Sequence, residues 1–289
     1  MNHAIVSTIS DRCKRCYSCI RECPAAAIRV VDAQAQVIEE RCIACGHCVK
    51  VCSQDAKQIL SEIDLTYSLL NSGKAIAIIA PSFAASFPDN YRKVPSALRQ
   101  LGFKQVVETA FGADLIANNY MDILKSEPDK TIISSACPAV VSFIQKYYVE
   151  LVPNLAKVVS PMIALGRYLK QELSDDIKIV FIGPCVAKKH EAIDDDVAGV
   201  IDAVLTFHEL KEMFIENNID INSLDESEFD PPHAMMGKAY PLAGGLLKTT
   251  DINDDILEKD IIVVEGKKKV LEIIEEIAHN NINAKFTDI

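Results

Sequence analysis

The chain has 289 residues, of which 49% are hydrophobic, and its formal net charge at pH 7 is −11. The hydrophobic content excludes a disordered chain, and the acidic charge argues against nucleic acid as the main partner. No charged leader with an apolar core opens the sequence, and apolar runs such as residues 75–80 are far shorter than the roughly twenty residues that span a membrane. We therefore expect a cytoplasmic protein without a membrane span.

Eight of the ten cysteines form two copies of the motif C-x2-C-x2-C-x3-C near the amino terminus. In the bacterial ferredoxin arrangement, three cysteines of each copy hold one cubane cluster and the fourth completes the other cluster. The motif therefore predicts two [4Fe–4S] clusters. The predicted ligands of the first cluster are Cys13, Cys16, Cys19 and Cys52. The predicted ligands of the second cluster are Cys42, Cys45, Cys48 and Cys23.

Zinc sites and a disulfide framework are the two other interpretations of these cysteines. Zinc sites pair two C-x2-4-C units per metal, and two consecutive triplets with a fourth cysteine fit that pattern poorly. A disulfide framework needs an oxidising compartment, which the absence of an export signal disfavours. His47 lies inside the second motif and is expected to be a surface histidine, not a ligand.

The elements in chain order give an α/β fold class: an α+β ferredoxin-like dicluster module and then an α/β domain. Residues 1–60 form the predicted dicluster domain and residues 61–73 a linker, with a helix expected over 58–70. Beyond residue 74, strands and helices alternate, which is typical of a parallel or mixed sheet covered by helices. The predicted strands are residues 27–31, 36–38, 74–80, 105–109, 131–135, 177–182, 203–207 and 261–264. The other predicted helices are residues 96–101, 113–125, 138–148, 208–216 and 267–280, and one that starts at Ser160-Pro161.

The two remaining cysteines, Cys137 and Cys185, each follow a predicted strand. Parallel sheets bind ligands beyond the carboxyl ends of their strands, so we expect both thiols to face one pocket. A helix that begins at Pro138 would stabilise a thiolate at Cys137. Inert packing in the core is the alternative for two isolated cysteines. Both are candidate metal ligands.

Residues 74–250 resemble the catalytic domain of [FeFe] hydrogenases in five segments that follow the family's order. The first four are similar to the end of its first strand, its "FGAD" segment, its "TSCCPxW" signature and its "SPM" turn. The fifth resembles the "MPCxxKxxE" signature. The five segments are residues 79–82, 107–115, 134–140, 160–162 and 183–191.

The resemblance implies an iron-hydrogenase-like domain over residues 74–289 and a third centre, either a [4Fe–4S] cluster or an H-cluster-like group. Cys137 and Cys185 match two of its four ligands. Lys188 matches the lysine that contacts a cyanide of the diiron unit, and Glu191 matches a glutamate of the pocket and proton channel; both are the catalytic candidates. Lys189 is expected to be a surface charge.

The departures from the family pattern are also specific. Ala136 replaces a cysteine that relays protons, and an alanine carries no proton. Residues 118–120 are Asn-Asn-Tyr where the relay has acidic side chains. The third signature, with two more cysteines, is missing, so the domain is expected to be incomplete at its carboxyl end. Residues 240–245 form a glycine-rich turn, expected either near the pocket or as a simple tight turn.

The segments "ACP" and "GPC" resemble those of the sensory or accessory branch of the family. We therefore predict an iron–sulfur electron-transfer or redox-sensing protein with a protein redox partner, either a ferredoxin or a hydrogenase subunit. One alternative is a working hydrogenase, 2H⁺ + 2e⁻ ⇌ H₂, whose third signature lies on a missing carboxyl-terminal segment. The other is a non-catalytic scaffold of a hydrogenase complex. Whether the chain is an enzyme stays open at this point.

Overall fold

The amino-terminal region consists of two antiparallel strand pairs and two short helices. The computed structural model describes residues 4–127, 129–250, 261–282 and 284–289. Residues 1–3, 128, 251–260 and 283 of the predicted domains therefore lie outside the described residues. The strand pairs join β1 (Val6–Thr8) to β4 (Lys57–Ile59), and β2 (Ile28–Val31) to β3 (Gln34–Val37). The helices are α1 (Ser18–Arg21) and α2 (His47–Lys50).

The two halves of this region repeat the same local geometry. Each short helix follows a residue in the left-handed conformation, Tyr17 with φ 57° before α1 and Gly46 with φ 71° before α2. This conformation turns the chain sharply out of the cysteine loop and into the helix. The internal repeat of the sequence is thus a repeat of structure.

The predicted helix over residues 58–70 is wrong at its start. Residues 57–59 form β4, and the helix that follows, α3, covers only Ile63–Asn71. Ile59 pairs with Val6, whose side chain is 1% exposed. Pairing with β1 therefore decides the conformation of residues 57–59, because the strand pair buries the Val6 side chain, which would stay in water if these residues were helical.

The rest of the chain alternates strands and helices, as predicted. Its strands are β5 (Ala75–Ile79), β6 (Gln105–Glu108), β7 (Ile132–Ile133), β8 (Lys178–Gly183), β9 (Ala203–Thr206), β10 (Ile261–Val263) and β11 (Phe286–Asp288). Its helices are α4 (Phe83–Ser86), α5 (Val94–Leu101), α6 (Ala110–Ser126), α7 (Pro138–Tyr147), α8 (Pro161–Glu172), α9 (Ala187–Ala192), α10 (Phe207–Glu216), α11 (Gly245–Thr249) and α12 (Lys267–Ala278). Short 3-10 helices occur at Ser10–Arg12, Glu39–Arg41, Tyr91–Lys93, Val149–Asn154, Ile221–Ser223 and Met236–Ala239.

The strands divide into two parallel sheets. One has the order β6-β5-β8-β9 and the other the order β10-β11-β7. The central strand β5 is buried on both faces along its whole length, which is typical of a parallel strand covered by helices. The sequence pattern did not predict β11, which lies in the middle of the smaller sheet.

A close contact between α6 and α8 fixes the position of both helices. A Cβ atom on Gly112 would lie 2.1 Å from the carbonyl oxygen of Pro161, so only glycine allows this approach. Asp114, two residues further on, accepts hydrogen bonds from the main-chain N–H groups of Met235 and Gly237 at 2.7 Å each. The "FGAD" and "SPM" segments therefore meet in space, and their residues position the loop before α11.

Both edges of the larger sheet are closed by acidic side chains. At the β6 edge, the N–H of Val106 donates to the carboxylate of Asp230 at 2.8 Å. The main-chain N–H of Asp230 donates in turn to the carbonyl oxygen of Val106, also at 2.8 Å. At the β9 edge, the N–H of Val204 donates to Glu62 at 2.6 Å. The segment 217–232, which contains Asp230, is therefore tied to the sheet at the β6 edge.

Lys189 is buried, which contradicts the expectation of a surface charge. It is 0% exposed, and its ammonium donates to the carbonyl oxygen of Val204 and to Glu209 at 3.0 Å. Helix α9 packs back on β9, so the side chain reaches the sheet edge and not water. No helix among the described residues is both long and apolar enough to cross a membrane.

Candidate iron–sulfur sites

The three leading cysteines of the first motif lie beside the last cysteine of the second. Cys19 on α1 is 7% exposed. Burial raises the pKa of its thiol, Lys57 opposes this, and the neighbouring sulfur atoms add to the rise. These neighbours are Cys52, Cys16 and Cys13. The four sulfur atoms thus share one neighbourhood.

The second group joins the three leading cysteines of the second motif to the last cysteine of the first. Burial raises the pKa of Cys48 to about 12, again opposed by Lys57 and reinforced by nearby sulfur atoms. Those atoms belong to Cys42, Cys45 and Cys23, and all four cysteines line one small cavity. Each motif therefore gives its fourth cysteine to the other motif's group, as the spacing predicts. Ligation by these residues stays a prediction.

The main chain around the cysteines suits thiolate ligands. The N–H groups of three alanines donate to sulfur, at 3.3 Å to Cys23, 3.4 Å to Cys42 and 3.3 Å to Cys52. Such hydrogen bonds stabilise negative charge on sulfur, and thiolates are the usual ligands of iron in cubane clusters. The residues present fit two [4Fe–4S] clusters.

Cys137 and Cys185 face one cavity of about 420 Å³. The cavity lies at the carboxyl ends of β7 and β8, which belong to different sheets. The prediction of a shared pocket is therefore confirmed, although two sheets and not one create it. Described residues that line it are Ala136, Cys137, Pro138, Cys185, Lys188, Tyr240, Pro241, Leu242, Ala243, Gly244, Leu246, Val263, Val264, Glu265, Asp288 and Ile289.

The charged groups at this pocket are already partly paired. Burial raises the pKa of the Cys185 thiol, the adjacent Cys137 sulfur adds to the rise, and Lys188 opposes it. The Lys188 ammonium lies 2.7 Å from the Glu191 carboxylate, one turn along α9. The two catalytic candidates thus form an ion pair in which only Lys188 lines the cavity.

Two further polar residues belong to the pocket. Burial raises the pKa of Asp288 to about 6, against a hydrogen bond from Ser134 that lowers it. The Tyr240 hydroxyl is buried and has no hydrogen-bond partner among the described residues. The glycine-rich turn that contains Tyr240 lines the cavity, as one of its two interpretations predicted. No signal in the sequence pointed to Asp288, because β11 was not recognised.

The second cysteine group and this pocket are in contact. Cys48, Cys185 and Val186 share one hydrophobic cluster. Helix α7, which begins directly after Cys137, ends at the second cysteine group. There Lys146 donates to the carbonyl oxygen of Cys42 at 2.7 Å. The three groups of thiols are therefore arranged in series.

His47 lies at the partly exposed rim of the second group. Its Nε2 is 3.5 Å from the Glu22 carboxylate and 3.1 Å from the ammonium of Lys267 on α12. Lys267 also binds Glu22 at 2.6 Å. These contacts join the amino-terminal region to α12 at the surface of the molecule.

Two protein-family models match the chain. The iron only hydrogenase large subunit, C-terminal domain, matches residues 73–289, and the 4Fe-4S dicluster domain matches residues 5–53. The chain belongs to the iron-only hydrogenase family. This confirms the predicted family and shows an iron–sulfur protein that carries a 4Fe-4S dicluster domain.

Curated relatives of this hydrogenase-family chain include enzymes and assembly factors. Iron hydrogenase 1 of Clostridium pasteurianum is 29% identical over 77% of this chain and 45% of its own length. The cytosolic Fe-S cluster assembly factor NAR1 of Yarrowia lipolytica is 24% identical over 65% of this chain and 44% of its own length. The chain thus spans about half the length of these relatives.

Solved structures agree on the fold. A variant of the apo [FeFe]-hydrogenase HydA1 from Chlamydomonas reinhardtii superimposes with a TM-score of 0.64 at 18% identity, over 80% of this chain and 81% of that chain. This similarity confirms the predicted α/β fold class with parallel sheets.

Proposed function

We propose that this protein is an electron-transfer or redox-sensing member of the hydrogenase family. The observation that carries the proposal is the series of three thiol groups, from Cys13–Cys52 at one end to Cys137 and Cys185 at the other. The eight amino-terminal cysteines are the proposed ligands of the two [4Fe–4S] clusters, and Cys137 and Cys185 those of a third centre. When bound, each [4Fe–4S] cluster takes up and releases one electron.

The residues of the chain have separate roles in this proposal. The main-chain N–H groups that donate to cysteine sulfur stabilise negative charge at the clusters. Cys48, Val186 and Cys185 pack in one cluster and give an apolar contact between the second group and the pocket. Lys188 supplies a positive charge at the pocket, and Glu191 holds its ammonium in place.

The position directly before Cys137 carries no group that can relay a proton, which argues against hydrogen turnover by these residues. Ala136 lines the cavity and has no group that can carry a proton. Tyr120 occupies a position where the resemblance leads us to expect an acidic relay residue. Its hydroxyl lies 3.0 Å from the Ser135 hydroxyl and accepts a hydrogen bond from the main-chain N–H of Ser135 at 3.2 Å. Burial raises the pKa of Tyr120 to about 12, so it stays protonated.

Hydrogen turnover by a longer chain is a second candidate, and one observation favours it. Asp288, the last residue of β11, and Ile289 both line the cavity. The carboxyl end of the sequence therefore lies beside the cavity that contains Cys137 and Cys185. A third cysteine signature, carried by a longer chain, would complete the ligand set.

The names of the relatives support a site of action and a kind of partner. Assembly factors similar to this chain are described as cytosolic, and a further relative is a subunit of an NADP-reducing hydrogenase from Solidesulfovibrio fructosivorans. We therefore propose a cytoplasmic location and a protein redox partner, either a ferredoxin or a hydrogenase subunit.

Iron and acid-labile sulfide per chain, after strictly anaerobic purification, test the proposal. Two clusters give about eight irons, and a third cubane gives about twelve. We expect Cys137→Ser with Cys185→Ser to lower a value near twelve to eight and to leave a value near eight unchanged. Hydrogen production by the 289-residue chain after maturation would contradict the proposal.

A further inference from the structure

A buried lysine, Lys57, lies between the two amino-terminal cysteine groups. It is 5% exposed, and its ammonium donates to the carbonyl oxygen of Ala35 at 2.8 Å and to the hydroxyl of Thr8. Both acceptors are neutral. Within the described part of the chain, Lys57 forms no ion pair with a carboxylate. Lysine is almost never buried without a counter-charge, so the negative charge must come from another source.

The cysteines around Lys57 belong to both groups. Ala35, which accepts the hydrogen bond from Lys57, packs in one cluster with Cys13, Cys19 and Cys48. A main-chain hydrogen bond joins Ala35 to the Cys13 sulfur, and the Lys57 ammonium lies close enough to act on the same sulfur. The ammonium thus adjoins the proposed ligands of the first and second clusters at once.

The internal repeat shows that packing alone does not require a cation here. Lys57 is the fifth residue after Cys52, and the matching fifth residue after Cys23 is Ile28. Ile28 also lies in a strand, β2, and is 6% exposed. One half of the region therefore fills this position with an apolar side chain, while the other half carries a buried positive charge.

We propose that Lys57 is a shared electrostatic determinant of both [4Fe–4S] clusters, raising the reduction potential of each. A cluster gains one negative charge on reduction, and a fixed cation nearby stabilises that charge. The net negative charge of the clusters and their thiolates is in turn the counter-charge of the buried ammonium. This inference rests on the presence of the two clusters and not on the proposed direction or partner of electron transfer.

The test is an electron paramagnetic resonance redox titration of the anaerobically purified full chain. Lys57→Gln keeps a hydrogen-bond donor for Ala35 but removes the charge. We expect both midpoint potentials to fall, so that the reduced fraction of each cluster at a fixed potential drops about tenfold, equivalent to 59 mV for a one-electron couple. Lys57→Arg keeps the charge and should leave both potentials near those of the unmodified chain.

Two matched variants separate charge from packing and location. Lys50→Gln removes the same charge from an exposed position on α2, where water screens it, and should shift the potentials much less. Ile28→Met alters packing at the matching position of the other half. A Lys57→Gln shift no larger than that of Lys50→Gln, or a shift of one cluster alone, would overturn the inference.

Iron content keeps the test decisive if a variant folds poorly. Loss of iron in Lys57→Gln together with full retention in Lys57→Arg supports the inference, because the two variants differ in charge. Loss in both would overturn it in favour of a packing role. If both midpoint potentials shift as expected in Lys57→Gln but the protein delivers electrons to no partner, only the proposed function is refuted.

Discussion

The amino-terminal cysteine region and the Cys137–Cys185 pocket meet the same chemical demand in different ways. The first offers eight thiols in two closed groups, with main-chain N–H groups already directed at sulfur. The second offers two thiols in a cavity of about 420 Å³, together with an ammonium, a buried carboxyl group and a hydroxyl that has no partner among the described residues. The first region has enough cysteines to ligate two clusters. The pocket is large and polar enough for a bound group, but its two thiols are too few to ligate a cluster alone.

Removing one thiol from the complete set should have the largest effect. We expect Cys48→Ala to lose the second cluster, about four irons per chain, and to unfold part of the region, because the free energy of cluster binding contributes to folding. Iron, sulfide and far-ultraviolet circular dichroism measure this. Cys137→Ala should retain all eight irons of the amino-terminal clusters. Full iron retention by Cys48→Ala would contradict the grouping.

A change behind the pocket should destabilise the larger domain and leave the iron in place. Glu209 is the carboxylate partner of fully buried Lys189, and breaking a buried pair typically costs about 3–5 kcal/mol. Glu209→Gln should therefore lower the free energy of unfolding by this amount in chemical denaturation. Glu212→Gln, an exposed change on the same helix, should stay within about 0.5 kcal/mol. Equal effects of both variants would contradict the assigned role of Glu209.

The pocket should also make stability depend on pH. In the folded chain the pKa of Asp288 is raised from its ordinary 3.8 to about 6, so the folded state binds more protons than the unfolded state between these values. Stability is therefore expected to fall as pH rises through this window, by about 2–3 kcal/mol in total. Denaturation between pH 5 and pH 7.5 covers the upper part. Asp288→Asn should remove this slope, and an unchanged slope would exclude Asp288 as its source.

The smallest effect tests whether a polar group fills the pocket. Tyr240→Phe deletes a buried hydroxyl that has no partner among the described residues, which should stabilise the chain by about 1 kcal/mol. Tyr120→Phe removes a hydroxyl that bonds to Ser135 and should destabilise it by a similar amount. Thermal unfolding of both variants measures the difference. Destabilisation by Tyr240→Phe would show that a bound group uses the hydroxyl.

The sequence predicted best what short-range patterns encode. The cysteine spacing gave the two groups, and apolar runs with helix-start signals gave most elements of the larger domain. Long-range pairing accounts for the errors. Residues 57–59 form a strand because they pair with Val6, and β11 forms because it lies between β7 and β10. Lys189 is buried because its acceptors come from other segments of the chain, which no local pattern reveals.

The closed edges of the larger sheet have a consequence for the behaviour of the protein in concentrated solution. Val106 and Val204 stand at the middle of the two edge strands, and side chains or a loop residue occupy the N–H and carbonyl groups of both. An incoming strand from a second molecule finds no free donor or acceptor there. Pairing with a second molecule at these two positions is thus blocked by Asp230, Glu62 and Lys189, whose charges also disfavour contact with apolar chains.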